Sequence, residues 1–151
     1  MTKSIFRICA ILALALTASQ TVLSAQEAHR LVGVWDVSVT VKNCGTGAVI
    51  RTVRSLQMFN RDGSFTETAN TFLRGSSLGG WAHSTGQTFA AEYWFFRYNA
   101  DGTFASIAKA LDMIELSQDG SQFTASGMIQ DFDATNTLIS TGCFTHSGKR
   151  L

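Results

Sequence analysis

The side chains that could carry chemistry are few. They comprise His29, His83 and His146, three cysteines of which Cys44 and Cys143 lie beyond the first 25 residues, and charged residues set within alternating segments, among them Arg54, Glu67, Asp112, Glu115 and Asp131. No two histidines stand at the spacing of metal ligands. No serine occupies a nucleophile elbow, and no glycine-rich phosphate loop is present. The sequence therefore predicts no catalytic constellation, no metal site and no cofactor. Its acidic residues Asp112, Glu115 and Asp131 read as solvated strand or turn positions. The pair of interest is Arg54 and Glu67, which alternation places on the same inward face of two neighbouring strands. Charges in such a place must be paired or serve a ligand, because desolvating them is costly. They form either an anchor for a polar ligand group or an ion pair at a solvated rim.

The elements that must position these groups are strands. One turn recurs as Asn60-Arg61-Asp62-Gly63-Ser64, Asn99-Ala100-Asp101-Gly102-Thr103 and Ser117-Gln118-Asp119-Gly120-Ser121, with a weaker version at Asp133-Ala134-Thr135-Asn136. Asp supports each strong turn and Gly takes its left-handed position. Between turns the period is two: Trp35, Val37, Val39 and Val41 alternate with Asp36, Ser38, Thr40 and Lys42. Strands are expected near 34–42, 49–59, 64–71, 80–83, 87–98, 103–116, 121–132 and 137–147, with a break in the middle of 103–116. The segment 72–80, rich in Gly and Ser, reads as a mobile lid or rim.

The chain begins with Lys3 and Arg7, an apolar run from Ile8 to Ala18, and a small residue at Ala25. This layout predicts a cleaved secretory signal over 1–25 and a single domain over 26–151, exported to the periplasm or the medium. The apolar run is too short to cross a bilayer. Without residues 1–25 the net charge is −1 and no basic patch remains, which argues against a nucleic-acid partner. In an exported chain the pair Cys44 and Cys143 is expected to form a disulfide.

Eight antiparallel strands joined by tight turns predict an all-β, up-and-down barrel, with a two-sheet sandwich as the alternative. The cysteines favour the barrel, because bridging them brings the first and last strands together. Direct pairing of the two would set Val41 opposite His146 and Val37 opposite Arg150, with Leu138, Ser140, Gly142, Phe144 and His146 facing inward. An outer-membrane barrel is excluded by the polar outer face of the first strand, so no integral membrane insertion is expected. The opening Gly33-Val34-Trp35 resembles the Gly-x-Trp signature of lipocalins and their calycin relatives, and the domain is similar in character to small secreted bacterial barrels of that type. The resemblance implies that Gly33 lets the chain pass the barrel floor, that Trp35 plugs that end, and that Arg150 lies over the indole.

By parity the second strand points Ile50, Thr52, Arg54, Leu56 and Met58 inward, and the third Phe65, Glu67 and Ala69. The fifth points Phe89, Ala91, Tyr93, Phe95 and Arg97 inward, or else buries Glu92, Trp94 and Phe96. Aromatic walls at Phe65, Tyr93, Phe95 and Phe144 face small residues at Ser106, Ala108, Ala110 and Gly142. That contrast suits a cavity for one small ligand. The expected function is binding of a small, mostly hydrophobic molecule with a polar or anionic end, through Arg54, Glu67, Tyr93, Phe95, Ala108, Phe144 and His146. An isomerase- or cyclase-type enzyme using Arg54, Glu67, Tyr93 or His146, and a protein-interaction module with a packed interior, are the alternatives.

Overall fold

The computed structural model describes residues 30–151; the expected signal segment and His29 lie outside the described residues. Eight strands follow in order: β1 (Gly33–Lys42), β2 (Val49–Phe59), β3 (Ser64–Ala69), β4 (Ser77–Thr85), β5 (Thr88–Tyr98), β6 (Phe104–Leu116), β7 (Gln122–Phe132) and β8 (Leu138–Arg150). Each pairs antiparallel with the next, and β8 returns to β1, closing an up-and-down barrel. Closure removes every edge on which another chain could template itself. The strand β6 runs unbroken through its thirteen residues.

The recurring turns are three-residue hairpin connections. Asn60 N–H donates to the Ser64 carbonyl and Gly63 N–H to the Asn60 carbonyl, and Asn99 and Gly102 repeat the arrangement. In each, the Asp carboxylate accepts from the backbone two residues on, at Ser64, Thr103, Ser121 and Thr135. The left-handed residue is Gly in the strong copies and Asn136 in the weak one, the last with φ of 61°.

A connection of three residues pairs Phe59 with Phe65, so odd residues of β2 face the same way as odd residues of β3. This overturns the expected inner face of β2. Val53, Ser55, Gln57 and Phe59 point inward, whereas Leu56 and Met58 are exposed. Arg54 lies on the outer wall, its side chain 71% exposed and forked onto Asp36 at 2.6 Å. It makes no pair with Glu67. The β1–β8 register is also displaced by two residues from the expected one: Val39 faces His146 and Trp35 faces Arg150. The bridge reaches Cys143 from Cys44, which sits two positions beyond Lys42, the residue that actually opposes Cys143.

The segment expected as a lid over 72–80 is shorter. Residues 77–80 belong to β4, and the connection is 70–76. A Cβ at Gly79 would come within 2.1 Å of the Glu92 carbonyl oxygen, so only glycine lets β4 lie this close to β5.

One end of the barrel is sealed by Leu31, Trp35, Phe59, Phe89, Leu116 and Phe123, all buried. Trp35 meets Phe123 edge to face at 5.0 Å and donates its indole N–H to the Leu31 carbonyl. The Arg150 guanidinium lies 4.2 Å from the Trp35 ring centroid. Its Nη1 donates to the Val32 carbonyl at 2.7 Å, its Nε to Gly120 at 2.9 Å, and its Nη2 to Arg30. Gly33 has φ of 141°, and a Cβ there would sit 2.7 Å from Arg150 Nη1. Both the backbone conformation and the arginine therefore require glycine at this position.

Two outcomes follow for stability. Reducing Cys44–Cys143, which spans a sequence separation of 99, removes a cross-link worth as much as about 4–5 kcal/mol in the chain-entropy model. Non-reducing peptide mapping recovers the bridge, and urea titration shows the loss. Arg150→Ala lowers the melting temperature and shifts the tryptophan emission, whereas Lys149→Ala does neither; a cation over an indole contributes about 0.5–2 kcal/mol. Equal effects of the two substitutions would remove the Arg150 seal.

Candidate functional site

The half of the barrel away from the Trp35 seal is different in kind. Direct cross-strand pairing sets Gln57, Glu67 and Ser77 side by side on β2, β3 and β4. His146 enters from β8 and Asp112 from β6, both buried. Above them the 70–76 connection crosses the open end. Gly75 N–H donates to the Phe96 carbonyl and Tyr98 N–H to the Leu73 carbonyl, tying the segment to β5. This crossing turns Arg74 down into the barrel. Its Nη2 pairs with Glu67 Oε2 and donates to Ser77 Oγ, and its guanidinium lies 3.5 Å from the Phe95 ring centroid. Ser77 Oγ in turn donates to Glu67 at 2.7 Å.

The charge states follow from these contacts. Burial pushes the Glu67 carboxyl up, but Arg74, the Ser77 hydroxyl and His146 together outweigh it and hold Glu67 below its ordinary value. Glu67 is therefore ionised. Burial, joined by the Glu67 charge, pushes Asp112 up to about 8, so Asp112 carries its proton at neutral pH. Burial brings His146 down to about 4; the nearby Glu67 charge opposes this and Arg74 adds to it. His146 Nδ1 stands 3.4 Å from Asp112 Oδ2 and 3.4 Å from Gln57 Nε2. With both residues neutral, His146 and Asp112 lie side by side without a charge between them. Burial and the carboxylates push the Tyr93 hydroxyl well above its ordinary value, keeping it a phenol. The floor thus holds one ion pair and several neutral donors and acceptors. Gln57 Oε1, Arg74 Nε and Asp112 Oδ1 are buried and have no hydrogen-bond partner. Among the described residues no group of three His, Cys, Asp or Glu could hold a metal.

Beneath the crossing segment lies a cavity of about 40 Å³, bounded by Val39, Val41, Val53, Phe95, Ile129 and Phe144, with arginines at its rim. Arg51 and Arg97 reach it from β2 and β5. Arg97 Nε binds Asp131 at 2.6 Å, and Asp131 also accepts from Ser106 and Ser140. Space beside the small residues is taken by rings. A Cβ at Gly127 would meet the Phe144 ring at 2.5 Å, and one at Gly148 the Phe123 ring at 2.3 Å. A wider hollow lies elsewhere. It is an open concavity of about 1250 Å³ on the outer wall, lined in part by Trp81, Trp94, Leu111, Met113 and Met128.

The structure brings Glu67, Tyr93, Phe95, Phe144 and His146 together around this interior, with Ala108 buried on β6. Phe144 stacks on His146 at 4.7 Å, and Tyr93 on Phe65 at 4.6 Å. Arg54 is absent from the interior, and Arg74 holds the place expected for it. Asp112 and Asp131 are not solvated: Asp112 lies within the core, and Asp131 is half-buried under Arg97. Phe104 is exposed at the rim, and so is Leu138. His83 sits apart, edge-on to Phe89 with its Nε2 2.8 Å from the Gly86 carbonyl oxygen. Gln57, Arg74, Ser77 and Asp112 escaped sequence reasoning; the length of the 60–64 turn was the signal that could have turned Gln57 inward.

No protein-family model matches this chain, and neither the curated proteins nor the solved structures supply a match. Function has to be argued from the site.

The two displaced groups give opposite pH slopes. Asp112, raised from 3.8 to about 8, contributes stability that is full below pH 3.8 and lost as pH rises through 8. His146, lowered from 6.5 to about 4, contributes stability present above pH 6.5 and lost as pH falls through 4. Between pH 4 and 6.5 they oppose each other; from 6.5 to 8 only the Asp112 slope remains of the two, about 1.5 kcal/mol. Urea titrations should show the wild type losing stability over that upper window while Asp112→Asn stays nearly flat. An equally steep fall in the variant would mean that Asp112 is ionised in the folded protein.

Proposed function

We propose that the protein is an exported, lipocalin-like binding module that takes a small, mostly hydrophobic molecule into the open half of its barrel. The observation that carries this reading is Arg74. It comes from a connection rather than a strand, and it fills the space between the Phe95 ring and Glu67. Interiors stabilised only for their own sake are apolar and close-packed. Here a long cationic side chain on a crossing segment fills space that Val39, Val41, Val53, Phe95, Ile129 and Phe144 wall with apolar surface.

The 40 Å³ that remains holds little more than water, so entry requires the 70–76 segment to swing away. That motion breaks the two backbone hydrogen bonds to β5, the buried ion pair to Glu67 and the hydrogen bond from Arg74 to Ser77. Glu67 keeps a second partner when Arg74 leaves. Burial holds the His146 pKa down, Glu67 opposes it and Arg74 adds to it, so withdrawing Arg74 removes one of the influences that keep His146 neutral. Export rests on the leader-like segment 1–25 and on the Cys44–Cys143 bridge, which persists in oxidising compartments.

Nile red, a neutral apolar dye, tests the reading. Wild-type protein should bind it saturably at one site. The paired variant Arg74→Met/Glu67→Gln, which leaves neither charge alone in the interior, should bind it several-fold faster because the plug is gone. Near-UV circular dichroism checks that the variant keeps its packing. If neither protein shows saturable binding, the interior is a packed core, and the exposed Trp94, Leu111, Met113 and Met128 of the outer wall become the surface to pursue.

A further inference from the structure

Three guanidinium groups, those of Arg51, Arg74 and Arg97, border the 40 Å³ cavity, and two carboxylates answer them. Glu67 is taken by Arg74 and Asp131 by Arg97. The remaining carboxyl below, Asp112, is protonated, and His146 is neutral. Among the described residues Arg51 makes no ion pair and no side-chain hydrogen bond, and the nearest answering charge is that of Asp131, already bound by Arg97. It sits on the inward face of β2 opposite Val41, at the cavity rim. Arg97 gives Asp131 only its Nε–H, leaving its terminal nitrogens uncommitted. Arg74 Nε is buried without a partner. Arg51 and Arg97, each with uncommitted N–H donors, therefore both line a space about the size of one carboxylate. Like-charge crowding is evident in Arg51, whose pKa is lowered by burial and then by the charges of Arg97 and Arg74.

We infer that the bound molecule carries one anionic group, of carboxylate type, which lodges between Arg51 and Arg97 at the rim once Arg74 has swung aside, while its apolar part lies along the valine and phenylalanine walls. This rests on the reading of the open half as a ligand chamber. The anion supplies the missing counter-charge. A guanidinium presents five donors in a planar fork that suits a carboxylate, and charge-assisted hydrogen bonds there are roughly twice as strong as neutral ones. Discrimination against an uncharged analogue follows, because the alcohol leaves Arg51 as unpaired as it was.

Octanoate and 1-octanol, equal in chain length, separate head from tail. Competition against bound Nile red should show octanoate acting at a concentration at least tenfold lower than octanol. Arg51→Gln should bring octanoate to the level of octanol and leave octanol unchanged. Lys42→Gln, which removes a cation from the outward face at the same end, should change neither. Raising the salt concentration should weaken octanoate alone. If octanoate and octanol compete equally in the wild type, or if Arg51→Gln leaves their ratio intact, the anion site is wrong and the apolar chamber stands. If the dye binds at one site and neither compound displaces it, or if no dye binds, the chamber reading and the anion site fall together. Arg51 lies at the open end, outside the packed core, so its variant keeps the fold on which the comparison depends.

Discussion

A carboxylate held inside a barrel of aromatic rings is the constraint on which the rest of the interior depends. Desolvating Glu67 costs several kcal/mol unless partners replace the lost water. The strands on either side provide Gln57 and Ser77, which face it directly, and the connection between β3 and β4 provides Arg74. Once Glu67 is ionised and buried, its field acts on its neighbours. Burial, with the Glu67 charge added, keeps the proton on Asp112 and Tyr93, and burial keeps His146 neutral while Glu67 opposes it and Arg74 adds to it. Removing Arg74 without removing Glu67 would leave a bare charge in the core. The crossing segment is therefore bound to its place electrostatically as well as through its hydrogen bonds to β5.

The two ends of the barrel solve opposite problems. At the Trp35 end apolar rings interlock, and one cation is satisfied entirely by local groups: the guanidinium of Arg150 has carbonyl acceptors on three donors and an indole beneath it. At the other end cations outnumber the carboxylates that meet them, and one of them, Arg51, makes no ion pair among the described residues. Exposed apolar side chains also gather at the open end, at Val49, Ile50, Phe72, Phe104, Leu138 and Ile139. Stability alone explains the first end. The second carries unspent hydrogen-bonding capacity, and a structure selected only to persist would have paired or deleted it.

Much of the architecture was legible because it is written locally. Asp and Gly mark the strong turns, and the period-two alternation of β1 places Trp35 on the inner face without reference to any other strand, whereas β5, apolar on both parities, left two faces open and the structure turns Tyr93 and Phe95 inward. The inner face of β2 was not legible in that way. Ile50, Leu56 and Met58 on one parity are as apolar as Val53 and Phe59 on the other, so alternation cannot choose. The choice falls to the odd length of the 60–64 turn, which ties β2 to β3, and it sends Arg54 to Asp36 on the outer wall. Asp112 was misread for a related reason: β6 carries apolar residues on both faces, and nothing near Asp112 announces that Glu67 and His146, far away in sequence, will surround it. Arg74 lies in a segment whose glycines and serines look mobile, while Gly79 is there because β4 must lie against β5.

On the reading proposed above, the small cavity is a gated site with its gate shut. Small residues at Ala108 and Ala110 led to the expectation of an open interior, yet side chains from other strands and Arg74 occupy most of it. A permanently empty chamber of ligand size would forfeit dispersion contacts along its whole lining. A chamber closed by its own arginine keeps those contacts: Arg74 stacks on Phe95 and neutralises Glu67 until something displaces it. What displaces it must compensate both losses. An apolar body restores the contact with Phe95, while the Ser77 hydroxyl and the Gln57 amide stay on Glu67. On the reading proposed above, opening of the crossing segment and filling of the chamber are therefore coupled.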